Sequence, residues 1–282
     1  MENLLINPIL KWVGGKRQLL DEIRKRIPKN ITTYYEPFFG GGAVFFDLKP
    51  KKAVLNDKNA ELMNVYSCIR DHVEEVIRLL QEHKNESEYF YKIRQMDRQP
   101  EFQALPLPVR AARILYLNKT CYNGLFRVNS HGEFNSPFGY YKTPNIVNEP
   151  VLRAVSEFLN LSAYTLKTED YEKVLKSAKK GSFVYLDPPY EPVSDSSSFT
   201  GYNQGGFSRQ EQNRLCRVCE ELHAKGVKFL LSNSSTPHIQ GLYRRGENRK
   251  RFHIELVQAR RSVNSVADGR GEVDEVLVRN YE

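Results

Sequence analysis

At 282 residues, with 40% hydrophobic and 27% charged content, the chain is long enough to bury one large core or two smaller ones, and its composition excludes a disordered class. Forty-two Lys and Arg against 34 Asp and Glu leave a formal charge of +8, which favours a polyanionic partner over an acidic protein or a neutral metabolite. Four cysteines, no signal peptide and no apolar stretch of transmembrane length lead us to expect a reduced, cytoplasmic setting with no membrane contact.

The positive charge is clustered. Residues 1–30 carry seven bases against three acids, residues 110–144 five against one, and residues 244–270 eight against three. Aromatics interleave with it (Tyr116, Tyr122, Phe126, Phe134, Phe138, Tyr140, Tyr141), a pattern closer to a nucleic-acid footprint than to a solvated face.

In chain order, Trp12-Val13-Gly14-Gly15-Lys16-Arg17 comes first. Two adjacent glycines between an aromatic and a base describe a ligand-binding turn, the plainer alternatives being a core Trp12 and a solvated Lys16. It is no phosphate loop of a nucleotide hydrolase, because Arg17 stands where the magnesium-binding hydroxyl belongs. Tyr34-Tyr35-Glu36 then predicts a strand, Gly40-Gly41-Gly42 a loop, Ala43 the start of a short helix, and Ala53-Val54-Leu55 a second strand ending at Asn56-Asp57. With an acid just past the second strand, this is one mononucleotide-binding βαβ unit, and Asp57 suits ribose hydroxyls. The loop alone does not choose the nucleotide, since the G-x-G-x-x-G spacing is absent.

From Ala60 the spacing turns helical for about a hundred residues, with Leu62, Val65, Tyr66 and Ile69, then Val76, Ile77, Leu79 and Leu80, on apolar faces. Within this stretch residues 121–142 predict a β-hairpin: Leu125 to Val128, a turn at Ser130-His131-Gly132, then Phe134 and Pro137 to Tyr141. A two-stranded ribbon fits the major groove, where Arg127 can pair bidentately with guanine. The alternative is a surface loop over buried aromatics.

Strands resume at Tyr164-Thr165-Leu166, Phe183 to Leu186, Lys228 to Ser232, His253 to Val257 and Glu275 to Val278. Ser208-Arg209-Gln210-Glu211 is a capping box opening a helix through Leu222, with Gly226 as its stop. Cys216 and Cys219 lie on that helix as core thiols, since no second Cys or His pair completes a metal site. Ser194 to Gly206 is the candidate mobile loop over the site. Strands at both ends of the chain around a helical middle predict an α/β domain split by a mostly helical insertion.

The most informative residues are Asp187-Pro188-Pro189-Tyr190, placed directly behind the apolar run Phe183-Val184-Tyr185-Leu186. Proline lacks the donor a ladder needs, so the strand stops there and delivers an acid, a rigid carbonyl and an aromatic ring to the strand ends where α/β sheets bind ligands. The set suits a planar base with an amino group: Asp187 and the Pro188 carbonyl accept both N–H bonds while Tyr190 stacks. A bare strand terminator, with Asp187 as a buried ion-pair partner, is the competing view.

Lys11-Trp12-Val13-Gly14-Gly15-Lys16-Arg17, Glu36-Pro37-Phe38-Phe39-Gly40-Gly41-Gly42-Ala43, Asn56-Asp57, Tyr122 to Asn129 and Asp187-Pro188-Pro189-Tyr190 occur in the order seen in Dam-type (D12 class) adenine-N6 DNA methyltransferases. The chain resembles that family over nearly its whole length and looks closest to the DpnM branch. The resemblance implies a Rossmann-like S-adenosylmethionine-dependent methyltransferase sheet with an inserted, mostly helical DNA-recognition domain bearing the β-hairpin. The catalytic domain would span residues 1–58 and 161–282, and the target-recognition domain residues 59–160. The implied reaction is methylation of adenine N6 within duplex GATC after base flipping.

Carried over by position, the resemblance puts S-adenosylmethionine contacts on Trp12, Lys16, Glu36, Pro37, Phe38, Gly40, Gly41, Gly42, Asp57, Asp170 and Asp187, with Asp170 on the cofactor adenine. Asp170 could equally cap the following helix. Asp187, Pro188, Pro189 and Tyr190 are the implied catalytic group. DNA contacts fall on Tyr122, Asn123, Leu125, Arg127, Asn135, Pro137, Tyr140 and Lys142. Arg127 would read the first guanine, Leu125 and Pro137 the thymine side, and Tyr122 with Asn123 the gap left by the extruded adenine. Tyr140 stands where many members have Arg. We expect double-stranded DNA as partner, no metal, a monomer, and a cognate restriction endonuclease only as a functional counterpart. RNA, cytosine-N4 or protein-glutamine methylation competes but usually goes with Ser or Asn in place of Asp187. A DNA-binding module without catalysis is opposed by the intact Asp57, Asp187 and Tyr190.

Overall fold

Strands β1 (Tyr34–Glu36), β2 (Lys52–Asn56), β3 (Ala163–Lys167), β4 (Phe183–Leu186), β5 (Lys228–Ser234), β6 (His253–Arg260) and β7 (Glu272–Arg279) form one sheet in the order β3-β2-β1-β4-β5-β7-β6. The computed structural model describes residues 4–12, 14–161, 163–192, 207–260 and 272–282, so the expected Ser194 to Gly206 loop lies outside the described residues. β1 to β5 run parallel, and β7 is antiparallel to both β5 and β6. Strand order reverses direction between β1 and β4, which pair Tyr34 with Phe183 and Tyr35 with Val184. Open α/β sheets bind ligands at such a switch point, outside the carboxyl ends of the two strands, where Glu36 and Asp187 stand.

All four residues of β4 are fully buried, as a strand covered on both faces requires. Their alternation splits the core into two layers. Phe183 and Tyr185 join Tyr34, Leu230 and Leu277 on one face, while Val184 and Leu186 join Tyr35, Phe229, Leu231, Val276 and Val278 on the other.

Helices α1 (Leu20–Arg26), α2 (Ala43–Leu48), α3 (Ala60–Asp71), α4 (Val73–Gln81), α5 (Ser87–Arg94), α6 (Leu107–Thr120) and α7 (Glu149–Leu161) precede β3. Helices α8 (Tyr171–Leu175), α9 (Arg209–Ala224), α10 (Pro237–Arg244) and α11 (Asn248–Arg251) follow it. The stretch between β2 and β3 is therefore helical as the spacing predicts. Leu62, Val65, Tyr66 and Ile69 of α3 share a continuous hydrophobic cluster with Phe45 of α2 and with Ile114 and Leu117 of α6. Half of the capping box forms: Ser208 accepts the Glu211 N–H at 3.3 Å, while the Glu211 carboxylate turns to Tyr171 and Arg214, and Gly226 ends the turn after α9 at φ 69°. Cys216 and Cys219 are fully buried in α9, and burial pushes the Cys216 thiol up to about 12, the behaviour of core thiols.

Residues 121–142 fold back as the hairpin reading requires, but not as a regular ribbon. Isolated bridges join Cys121 to Phe138 and Val128 to Phe134, so seven steps on one arm face four on the other. Asn123 at φ 56° and Gly124 at φ 64° take left-handed conformations that absorb the excess and break the ladder. Cross-chain bonds survive between the bridges, from Tyr122 N–H to the Pro137 carbonyl (2.8 Å) and from Asn135 N–H to the Arg127 carbonyl (2.9 Å), and at the tip from Asn129 N–H to the Glu133 carbonyl (2.9 Å).

Candidate active site

Asp187 leaves the sheet at the end of β4 with its side chain 19% exposed. Its Oδ1 is doubly engaged, by Lys16 Nζ at 2.9 Å and by Ser232 Oγ at 3.0 Å, and Ser232 in turn lies 3.1 Å from the Tyr185 hydroxyl. Oδ2 accepts no hydrogen bond among the described residues. Nor does the Pro188 carbonyl, whereas the Pro189 carbonyl is taken by Gln212 Nε2 at 3.0 Å. Two adjacent acceptors, one of them charged, are thus left for a ligand bearing two N–H groups.

Burial pushes the Asp187 carboxyl above its ordinary range, and the Lys16 charge and hydrogen bond oppose that rise. The acceptor role belongs to the ionised form, so turnover should fall on the acid side at a pH above the usual carboxylate range. Lys16→Met removes the opposing cation and should move that acid limb to still higher pH. A rate-versus-pH profile of the two proteins checks this; an acid limb that stays put or moves down would detach Lys16 from the ionisation of Asp187.

Tyr190 is oriented from a distant strand. Its hydroxyl donates to Glu275 Oε2 of β7 at 2.6 Å, and Lys16 Nζ lies 4.5 Å from its ring centroid. Lys16, 7% exposed, also donates to the Gly14 carbonyl at 2.9 Å, so the glycine turn and Asp187 together fix it. The structure thus brings the Trp12 to Arg17 turn against the Asp-Pro-Pro-Tyr motif.

The loop after β1 is built on left-handed glycines, Gly40 at φ 50° and Gly42 at φ 68°. A Cβ on Gly40 would sit 3.0 Å from Trp12 Cδ1, and one on Gly42 2.6 Å from Phe39 Cζ, so neither position accepts a side chain without displacement. Trp12 covers the loop and stacks on Phe126 of the hairpin, with centroids 4.5 Å apart and planes at 22°. Asp57 fixes the loop from β2: Oδ2 accepts the Gly40 N–H and Oδ1 the Asn59 N–H, each at 2.9 Å. Asn56 ties the same loop to the end of β3 through the Pro37 carbonyl (3.0 Å) and the Glu169 carbonyl and N–H (3.0 and 2.8 Å).

Glu36 is 2% exposed and receives the Tyr34 hydroxyl at 2.8 Å. Burial drives its carboxyl well above the ordinary range, the Tyr34 bond opposing and the charge of Asp187 adding to it. Asp57 is likewise raised by burial against its two backbone hydrogen bonds. Burial makes all three carboxyl groups reluctant to ionise, Asp57 bonded to the glycine loop, Glu36 just ahead of it and Asp187 close enough for its charge to act on Glu36, a setting that a cationic ligand relieves.

Phe38 packs against Tyr171 (5.1 Å) and edge-on to Phe207 (5.8 Å), leaving an aromatic wall beside the loop. Asp170 caps α8 by accepting the Glu172 N–H at 3.0 Å and pairs with Arg214 at 2.5 and 3.0 Å. Burial is the largest influence and would raise its carboxyl, but the Arg214 and Glu172 hydrogen bonds and the nearby charges of Arg214 and Lys58 together lower it.

The expected DNA-contacting residues form one exposed edge. Tyr122 is 57% and Tyr140 74% exposed; Asn123, Arg127, Pro137 and Lys142 are exposed, and Leu125 and Asn135 are half-buried. Arg127 Nε donates to Asn135 Oδ1 at 2.9 Å, while its terminal Nη groups make no hydrogen bond among the described residues. Asn118 locks this segment to the catalytic side: its amide bonds the Lys11 carbonyl (2.8 Å) and Gly124 carbonyl (3.0 Å), and its oxygen accepts the Lys11 N–H (2.9 Å). Sequence reading missed Asn118, Ser232, Arg214 and Glu275. For Ser232 the signal was present, since it ends an apolar strand run; the others carry none.

The sequence pattern of the D12 class N6 adenine-specific DNA methyltransferase matches residues 12–263 of the chain. A Type II methyltransferase of Lactococcus lactis subsp. cremoris, M1.LlaDCHI, is 43% identical over 278 residues, covering 98% of this chain and 96% of that protein. The Type II methyltransferase M.MjaIII of Methanocaldococcus jannaschii is 38% identical over 98% of this chain and 99% of its own. DNA adenine methylase of Escherichia coli K12 is 34% identical over 95% of this chain and 93% of its own.

Proposed function

Since the chain belongs to the D12 class of N6 adenine-specific DNA methyltransferases, we propose that it methylates adenine N6 within duplex GATC after flipping the base out of the helix. The observation that carries the site assignment is the pair of unengaged acceptors at the end of β4, Asp187 Oδ2 and the Pro188 carbonyl. Adenine N6 is a weak nucleophile because its lone pair is delocalised into the ring. Two acceptors holding its N–H bonds draw the amine out of conjugation and aim the lone pair, and removal from the stack gives access.

S-adenosylmethionine, the methyl donor of this family, supplies an electrophilic methyl on a sulfonium when bound. The residues present fit it: the Gly40–Gly42 loop and Glu36 would hold its cationic methionine end and Asp57 its ribose, with Trp12, Lys16, Pro37, Phe38 and Asp187 as further contacts, and Asp170, paired with Arg214, would accept its adenine amine. Tyr190, held by Glu275, stacks on the target base. Alkylation makes the amine acidic, so its proton leaves along the Asp187 hydrogen bond without a finely tuned base.

On the DNA side Arg127 reads the first guanine, Leu125 and Pro137 the thymine face, and Tyr122 with Asn123 fills the gap left by the adenine. Asn135, Tyr140 and Lys142 complete the contact edge. The reading divides the chain into a catalytic domain of residues 1–58 and 161–282 and a target-recognition domain of residues 59–160. It also has the protein working as a cytoplasmic monomer without metal, with a cognate restriction endonuclease as its functional counterpart.

The test is transfer from S-adenosylmethionine labelled in its methyl group to duplex DNA without added metal, followed by digestion and separation of nucleosides. The label is expected in N6-methyladenine. Label confined to N4-methylcytosine, 5-methylcytosine or RNA would overturn the reading.

A further inference from the structure

The exposed edge carrying Arg127 has no continuous ladder, only two isolated bridges and a few cross-chain hydrogen bonds. Contacts from outside the hairpin therefore help to place the arm whose Asn135 holds the Arg127 guanidinium. The structure shows a charged clamp behind it. Phe134, on the arm facing Arg127, is 1% exposed, and both of its backbone polar groups are bound by side chains of the 3₁₀ turn Gln95–Arg98. Asp97 Oδ2 accepts the Phe134 N–H at 2.8 Å and Arg98 Nη2 donates to the Phe134 carbonyl at 2.9 Å.

The clamp is anchored in the core. Asp97 Oδ2 also pairs at 2.9 Å with Arg113 of α6, a guanidinium only 2% exposed that donates to the carbonyls of Ile93 (2.8 Å) and Arg94 (2.7 Å). Arg98 in turn donates to Asp97 Oδ1 and to the Arg94 carbonyl, each at 2.9 Å, and lies 3.5 Å from Glu133. Glu133 holds the hairpin tip by accepting from Asn129 Nδ2 at 2.7 Å. Buried charge pairs of this kind add little net stability compared with apolar packing, but they fix register strongly, because a displaced partner leaves a charge or a backbone group unpaired. One residue beyond Phe134 is Asn135, which grips Arg127 through both its side chain and its N–H.

We infer that Asp97, Arg98 and Arg113 are positioning residues for sequence selectivity: they set the register of the Phe134 arm and through Asn135 the aim of Arg127. The inference rests on the reading of Arg127 as the residue that contacts the first base. Phe134 also packs edge-on to Phe126, which stacks on Trp12, but none of Asp97, Arg98 and Arg113 contacts the glycine loop itself.

The test compares initial rates on GATC duplex and on duplexes altered at the first base, for wild type, Asp97→Ala, Arg98→Met, Arg98→Lys, Arg127→Ala and the double variant Arg98→Met/Arg127→Ala. Arg98→Met is the decisive single change, since it leaves the buried Asp97–Arg113 pair intact if Asp97→Ala fails to fold. It should lower the ratio of cognate to altered rates by about tenfold, the scale of a misaimed bidentate contact. Affinity for S-adenosylmethionine, measured by calorimetry, should stay within about twofold, because no member of the clamp reaches the loop carboxylates. Arg98→Lys should recover part of the ratio, and the double variant should be no less selective than Arg127→Ala. Equal loss on every duplex, or an unchanged ratio for Arg98→Met beside a collapsed one for Arg127→Ala, would make the clamp a mere scaffold. An unchanged ratio for Arg127→Ala would instead remove the base-reading role on which the inference stands.

Discussion

Asp187→Ala should lower the single-turnover rate by more than about a hundredfold at saturating S-adenosylmethionine, the scale seen when one preorganised hydrogen-bonding group is lost at a reacting atom. The reason is specific to the geometry: Oδ1 is already taken by Lys16 and Ser232, so the loss falls on the unengaged Oδ2, the acceptor we propose for the substrate amine. The variant should also lose stability and cofactor affinity. Lys16 is 7% exposed, and stranding a buried cation without its partner costs about 3 to 5 kcal/mol. Asp187→Ala/Lys16→Met separates the two effects. Its melting temperature should lie above that of Asp187→Ala, because the stranded charge is gone, while its rate stays equally low. Near-normal single-turnover rates for Asp187→Ala would take the residue out of the mechanism.

Arg127→Ala should cut methylation of GATC by about tenfold to a hundredfold while sparing duplexes altered at the first base, since a bidentate guanine contact carries roughly 1 to 3 kcal/mol of discrimination. Arg127 suits the role because its Nε is held by Asn135 while the two Nη groups make no bond among the described residues. Selectivity and rate should therefore fall together. Lys142→Ala, at an exposed cation on the last residue of the hairpin segment, should behave differently, weakening all DNA to a similar degree and reducing the salt slope by about one unit. Initial rates and binding at several salt concentrations distinguish the two. A loss for Arg127→Ala that is equal on every duplex would mark it as a backbone contact.

Much of this was legible in the sequence because the signals are local. The two prolines after Leu186 fix the end of β4, and three glycines followed by Ala43 fix the loop and the start of α2. Asp57 is found by its place just past β2, and its bonds to Gly40 and Asn59 explain why an acid belongs there. Partners supplied by chain reversal left no local trace. Glu275 reaches Tyr190 only because β7 inserts between β5 and β6, and Asn118 reaches Lys11 only because α6 packs under the amino-terminal segment. The hairpin is legible from its Ser130-His131-Gly132 turn and the strand stretches beside it, which carry no information about the unequal arms that Asn123 and Gly124 impose. Asp170 shows the same limit, for its pairing with Arg214 depends on α9 lying against α8.

Sequence-selective methylation of adenine is tested most directly by a base-resolution map of modified nucleotides in plasmid DNA from a methylation-deficient host expressing the protein. N6-methyladenine is expected at GATC sites and at no other recurrent motif, with the modification absent from GATC when Asp187→Ala is expressed. N6-methyladenine centred on a different motif, or modification spread over adenines regardless of the neighbouring bases, would contradict this expectation.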